Sequence, residues 1–162
     1  MKNGIRLLAL AAIVATLSAC GASHMIVMEP NSSAVKAEGV QLVYDDSVMG
    51  VPQEAVDKVK RHMQDRFFGQ GAEFTRGNEL SVRYGFVGFD EGSQFSRWFF
   101  GGLGDGKATM VIRAEFVDQD GNVLAKIQSE GELSAGFFGG DSDSAIKKAV
   151  GEIGDYAETN FQ

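Results

Sequence analysis

The sequence predicts an α+β fold: a two-layer sandwich in which one mainly antiparallel sheet of about four strands packs on two helices, in the order β-α-β-β-β-α. Three observations lead to it. Apolar residues recur at helical spacing in two stretches, one after Val51 and one after Asp141. Between those stretches, apolar residues recur at every second position from Leu80 to Phe86, from Ala108 to Phe116 and from Val123 to Ile127. Finally, Asp118-Gln119-Asp120-Gly121-Asn122 is a tight-turn sequence joining the last two alternating runs into a hairpin.

Each element follows from local chemistry. Gly21 to Gly39 lacks clear periodicity and contains Pro30, Asn31, Ser32 and Ser33, so it reads as a tether. Val40-Gln41-Leu42-Val43-Tyr44 is β-prone and makes the first strand. Pro52 suits the first turn of a helix, and Glu54 complements the positive end of its dipole. Ala55, Val56, Val59, Met63 and Phe67 form the apolar stripe, and Gly69 stops the helix. The alternating runs then supply three strands. Asp141-Ser142-Asp143-Ser144 caps a last helix whose apolar face is Ile146, Ala149, Val150, Ile153, Tyr156 and Ala157. No internal repeat is present. Residues 40–162 therefore read as a single α+β domain.

The first twenty residues address this domain. Lys2 and Arg6 form a positive n-region, an uncharged and mostly apolar stretch runs from Leu7 to Leu17, and small residues follow. That is a signal peptide, 1–19, too short for a permanent membrane span. Leu17-Ser18-Ala19-Cys20 resembles the bacterial lipobox. The resemblance implies cleavage before Cys20, a diacylglycerol thioether on its sulfur and an N-acyl chain such as palmitate on its amine. Residues 20–39 then become a lipidated Cys and its tether. Three acyl chains, at about 0.8 kcal/mol per buried methylene, anchor a protein essentially permanently. In lipoproteins that look like this one, Asp after the Cys tends to retain the protein at the inner membrane. Gly21 stands there instead, which implies an outer-membrane anchor facing the periplasm. Cys20 is the sole cysteine, so no disulfide forms within one chain.

Composition narrows the function further. Loss of Lys2 and Arg6 takes the formal charge from −7 to −9, which disfavours nucleic acid as a partner. The membrane attachment is thus expected through the acyl chains on Cys20 and not through a basic face. Gly101-Gly102-Leu103-Gly104-Asp105-Gly106-Lys107-Ala108 nearly fits a phosphate loop. It lacks the Ser or Thr that ligates magnesium, and a strand follows where a helix should begin. His24 and His62 have no sequence neighbours that make a metal set. Asp118, Asp120, Asp141 and Asp143 do not follow a calcium-loop ligand order and suit turns and caps. No Ser sits in a nucleophile elbow. No catalytic residue, metal ligand or cofactor is expected. Asp90 with Glu91, or Asp141 with Asp143, would be the carboxylate pairs of an envelope-polymer hydrolase, a minor alternative.

The aromatic content is the remaining signal. Arg97, Trp98, Phe99 and Phe100 crowd a Gly-rich segment between Gly85 and Gly106, and Phe137 and Phe138 precede Gly139-Gly140 in a second one. These six residues are the candidate interaction loop, because a dense exposed aromatic patch marks a contact surface. Core packing is the competing reading for the same rings. Two such segments are expected at one end of the sheet.

From Leu80 onward the chain resembles bacterial lipoproteins carrying domain of unknown function 4410. The residues that carry the resemblance are Ser96-Arg97 ahead of Gly101 to Gly104, then Gly106-Lys107-Ala108 and the strand leading to Asp118 through Leu124. Gly139-Gly140 and the last helix complete it. Trp98-Phe99-Phe100 stands where smaller aliphatics are expected. The resemblance implies a compact α/β lipoprotein domain, no catalytic residues, and a distant similarity to envelope modules that assemble around secretion machinery. The expectation is a non-enzymatic binding or assembly module of the envelope. An envelope protein is the expected partner, with an oligomeric ring or a secretion-associated complex as the alternative.

Overall fold

Alternating apolar residues make one face of a sheet, and two amphipathic helices cover that face. The computed structural model describes residues 23–47, 49–90, 108–133 and 141–162. Its elements are β1 (Ser23–Glu29), β2 (Gly39–Tyr44), α1 (Gln53–Phe68), β3 (Thr75–Arg76), β4 (Leu80–Asp90), β5 (Ala108–Val117), β6 (Val123–Leu133) and α2 (Asp141–Phe161). The six strands form one sheet in the order β1-β6-β5-β4-β2-β3. β4, β5, β6 and β1 are joined by antiparallel ladders, whereas β2 runs parallel to both β3 and β4. The α+β class and the two helices match the sequence reading. The strand number and order do not.

Register explains the core. Tyr44 faces Tyr84, Tyr84 faces Ala114, Ala114 faces Ile127, and Ile127 faces Val27, so one row crosses five strands on the helix side. Successive rows place Leu80, Val82, Phe86, Ile112 and Phe116 on the same side, all buried. The α1 stripe of Ala55, Val56, Val59, Met63 and Phe67 is buried as its spacing predicts. On α2, Ile146, Ala149, Val150, Ile153, Tyr156 and Ala157 are buried, and Ala145 and Phe161 extend that face. Phe116 stacks on Phe161 with ring centroids 5.1 Å apart, fixing the end of α2 to the middle of the sheet. The hairpin turn forms where predicted: Asp118 accepts hydrogen bonds from the Asn122 backbone at 2.8 Å and from its side chain at 2.9 Å.

Residues 23–39 depart from the tether reading. Ser23–Glu29 is an edge strand paired with β6 from Ser23 opposite Gly131 to Glu29 opposite Lys126. Asn31 receives its place from α2: its backbone N–H donates to the Tyr156 hydroxyl and its side chain to the Asn160 carbonyl. Ala37 is buried, and its N–H donates to the Phe161 carbonyl at 2.8 Å. The physical reason is that β6 needs a partner on its outer edge. Met25-Ile26-Val27-Met28 supplies four apolar, partly β-branched residues with no polar alternation to announce them. The second addition, β3, is two residues long and leaves no periodic trace.

Candidate functional site

The candidate residues named from sequence, Cys20, Arg97, Trp98, Phe99, Phe100, Phe137 and Phe138, lie outside the described residues. What the structure gives is the place from which their segments depart. Asp90 at the end of β4 opposes Thr109 near the start of β5. Ala108 opposes Leu133 at the end of β6, and Ser23 at the start of β1 opposes Gly131. The ends of segments 91–107 and 134–140 are therefore rooted at one end of the sheet, and the chain from Cys20 enters at that same end. α2 starts there as well. A Cβ on Gly131 would meet the Ala145 carbonyl oxygen at 3.0 Å and the Met110 methyl at 2.7 Å, so Gly131 is what lets the first turns of α2 lie tight on β6.

A second cluster bridges the two helices. His62 lies at the edge of the α1 stripe, and its Nε2 is 3.0 Å from Asp143 Oδ1 in the first turn of α2. Arg61 reaches the same oxygen at 2.6 Å. The His62 side chain is only 11% exposed. The hydrogen bond from His62 first, then the nearby Arg61 and Lys58 charges, hold the Asp143 carboxyl below the usual range. The two contacts tie the first turn of α2 to α1, which makes Asp143 a helix-to-helix clamp. One turn on, Arg66 forks onto Glu158 at 2.6 and 2.8 Å and onto Asp155 at 2.7 Å. Those hydrogen bonds raise the Arg66 guanidinium above its ordinary value and lower Glu158. Gly154 makes the crossing possible, since a Cβ there would lie 2.4 Å from Arg66 Nε. Beside these pairs, His62, Asp65, Arg66, Lys147, Val150 and Gly151 line a shallow groove.

The outer face of the sheet is polar. Arg83 opposes Glu115, Glu115 opposes Lys126, and Lys126 opposes Glu29, a row of alternating charge across four strands. Lys126 Nζ is 3.1 Å from Glu29 and 3.3 Å from Glu115, and these bonds hold its ammonium above its ordinary value. Such opposite-charge neighbours support the sheet and provide no reactive group. Burial, then the neighbouring Tyr44, pushes the Tyr84 hydroxyl up to about 12, so it stays neutral. Ser129, the buried polar residue of β6, donates to Glu152 of α2 at 2.5 Å. Among the described residues, no set of three or more His, Cys, Asp or Glu could hold a metal. No described helix is long and apolar enough to cross a membrane.

Sequence reasoning missed the His62–Asp143 and Arg66–Glu158 contacts. Their partners are 81 and 92 residues apart, and only the pairing of two helices brings them together. It also missed β1, for which the unbroken run Met25 to Met28 was the available signal.

None of the curated proteins matches this chain. Among solved structures, a PelC dodecamer from Paraburkholderia phytofirmans in space group P6 aligns with 83% of this chain and 97% of its own, at 11% identity and a TM-score of 0.48. A substituted PelC dodecamer from the same organism, in space group C2, aligns over the same shares at 13% identity and a TM-score of 0.43. A family model, Domain of unknown function (DUF4410), matches residues 52–136, from the start of α1 through β6. That match spans more than half of the sequence, and the chain belongs to the DUF4410 family.

Proposed function

We propose that this chain is an outer-membrane lipoprotein facing the periplasm, and that its domain is a non-enzymatic binding or assembly module of the cell envelope. The observation that carries this reading is the convergence at one end of the sheet. Both Gly- and aromatic-rich segments are rooted there, where the chain from Cys20 enters. An acylated Cys20 holds that end close to the membrane, within reach of other envelope proteins. Arg97, Trp98, Phe99, Phe100, Phe137 and Phe138 are the side chains through which a partner would be gripped, because aromatic and Arg anchors concentrate interface energy.

The test separates recognition from packing. Changing Trp98, Phe99 and Phe100 together to Ala should leave the melting temperature within a few degrees of the parent, while a photoreactive residue at Phe137 loses its crosslink to a single envelope protein. A steep fall in melting temperature would instead place these rings in the core. An unchanged crosslink in the triple variant would remove the segment from the interface.

A further inference from the structure

Among the described residues, apolar exposure is concentrated on one strand. Met25, Ile26, Val27 and Met28 of β1 are 40%, 54%, 42% and 50% exposed, and among the described residues Val123 is the other large apolar side chain so exposed. Among the described residues β1 is the edge of the sheet, paired with β6. Ile26 lies opposite Gln128 on the outer face, while Met25 and Val27 lie opposite Ser129 and Ile127 on the helix side. The strand is thus apolar on both of its faces and forms a ridge. Edge strands are normally blunted by charge or by brevity. The opposite edge, β3, follows that rule with two residues, Thr75 and Arg76.

The length of chain before β1 says what covers the ridge. Three peptide links separate Cys20 from Ser23, and fully extended they reach roughly 11 Å. An acylated Cys20 lies at the lipid surface, so Ser23 lies within that distance of it. This step rests on the lipoprotein reading above. A strand standing upright from the anchor would carry Ile26, Val27 and Met28 away into water. A strand lying along the surface puts all four apolar side chains at the boundary of headgroups and acyl chains, where such groups partition. We propose that Met25 to Met28 form a membrane-seating ridge that lays the β1 edge of the sheet along the phospholipid surface. The aromatic end of the sheet then points sideways along the membrane, toward a neighbouring protein. The acidic residue at the end of the ridge, Glu29, is already paired with Lys126.

The test uses the full-length acylated protein in vesicles of phosphatidylethanolamine with phosphatidylglycerol as the minor lipid. An acylated Cys20 offers no thiol, so Ile26→Cys or Met28→Cys carries a single nitroxide, and Gln119→Cys, exposed in the β5–β6 turn, serves as reference. Relaxation by oxygen relative to a water-soluble nickel complex should be severalfold higher at 26 and 28 than at 119, and unchanged by added salt. Equal ratios at all three positions, with Cys20 acylated by mass, overturn the ridge and leave the anchor standing. Spin–spin broadening at 26 with water-like accessibility also overturns it, because a second copy would then cover the edge. An unacylated Cys20 by mass overturns the anchor reading itself, and the ridge with it.

Discussion

Arg66 shows how much of this structure depends on single side chains that cross between elements. It leaves the last turn of α1, passes over Gly154 and ends in a fork on Glu158. Fixed geometry and partial burial make this pair stronger than a typical surface contact, about 1 kcal/mol. Asp143 plays the same part at the other end of the helix pair, held by His62 and Arg61. Both carboxyls bind protons less tightly in the folded chain than their ordinary values of 3.8 and 4.5. Below those values the unfolded chain takes up more protons, so the stabilisation is complete above about pH 5 and drains away as pH falls. Glu158→Gln should therefore lower the melting temperature at pH 7 by about 2–4 °C. The gap between parent and variant should narrow as pH drops below 4.5. A gap of the same size at pH 7 and pH 3 would mean that the contact is not an ion pair.

Periodicity made the helices legible as elements. The α1 stripe and the α2 face were readable residue by residue, because each buries one side of a regular helix against a flat sheet. β4, β5 and β6 were readable for the same reason at period two. β1 was not, since an edge strand apolar on both faces has no alternation, and Pro30 to Ser33 directly after it resembles a linker. The parallel pairing of β2 with β4 was also hidden: register Val40 opposite Leu80 is set by how α1 folds back on the sheet, not by either strand alone. For the candidate site, the sequence names the aromatic segments, which lie outside the described residues, and strand register gives the end of the sheet from which they depart. An edge strand that covers β6 should matter to stability. A chain beginning at Lys36 should melt at least about 4 °C below one beginning at Gly21, corresponding to about 2 kcal/mol. Equal melting temperatures would return residues 21–35 to the status of a tether.

At the scale of the whole molecule, a six-stranded sheet and two helices form one two-layer body, to which the proposal adds a lipid anchor and an aromatic contact end. The body is held by a continuous core from Ala37 to Phe161, and the interhelix pairs lock its two helices together. Such a body transmits position: an anchor at one point and an edge against the membrane would fix where the aromatic end is presented. All of this depends on Cys20. The decisive measurement is the intact mass and N-terminal sequence of the protein recovered from the outer-membrane fraction of its own host. The account predicts a chain that begins at Cys20 and carries a diacylglycerol and a third acyl chain, and that is absent from this fraction when Cys20→Ala is expressed. A mature chain that begins elsewhere, or a Cys20 with a free thiol, would contradict it.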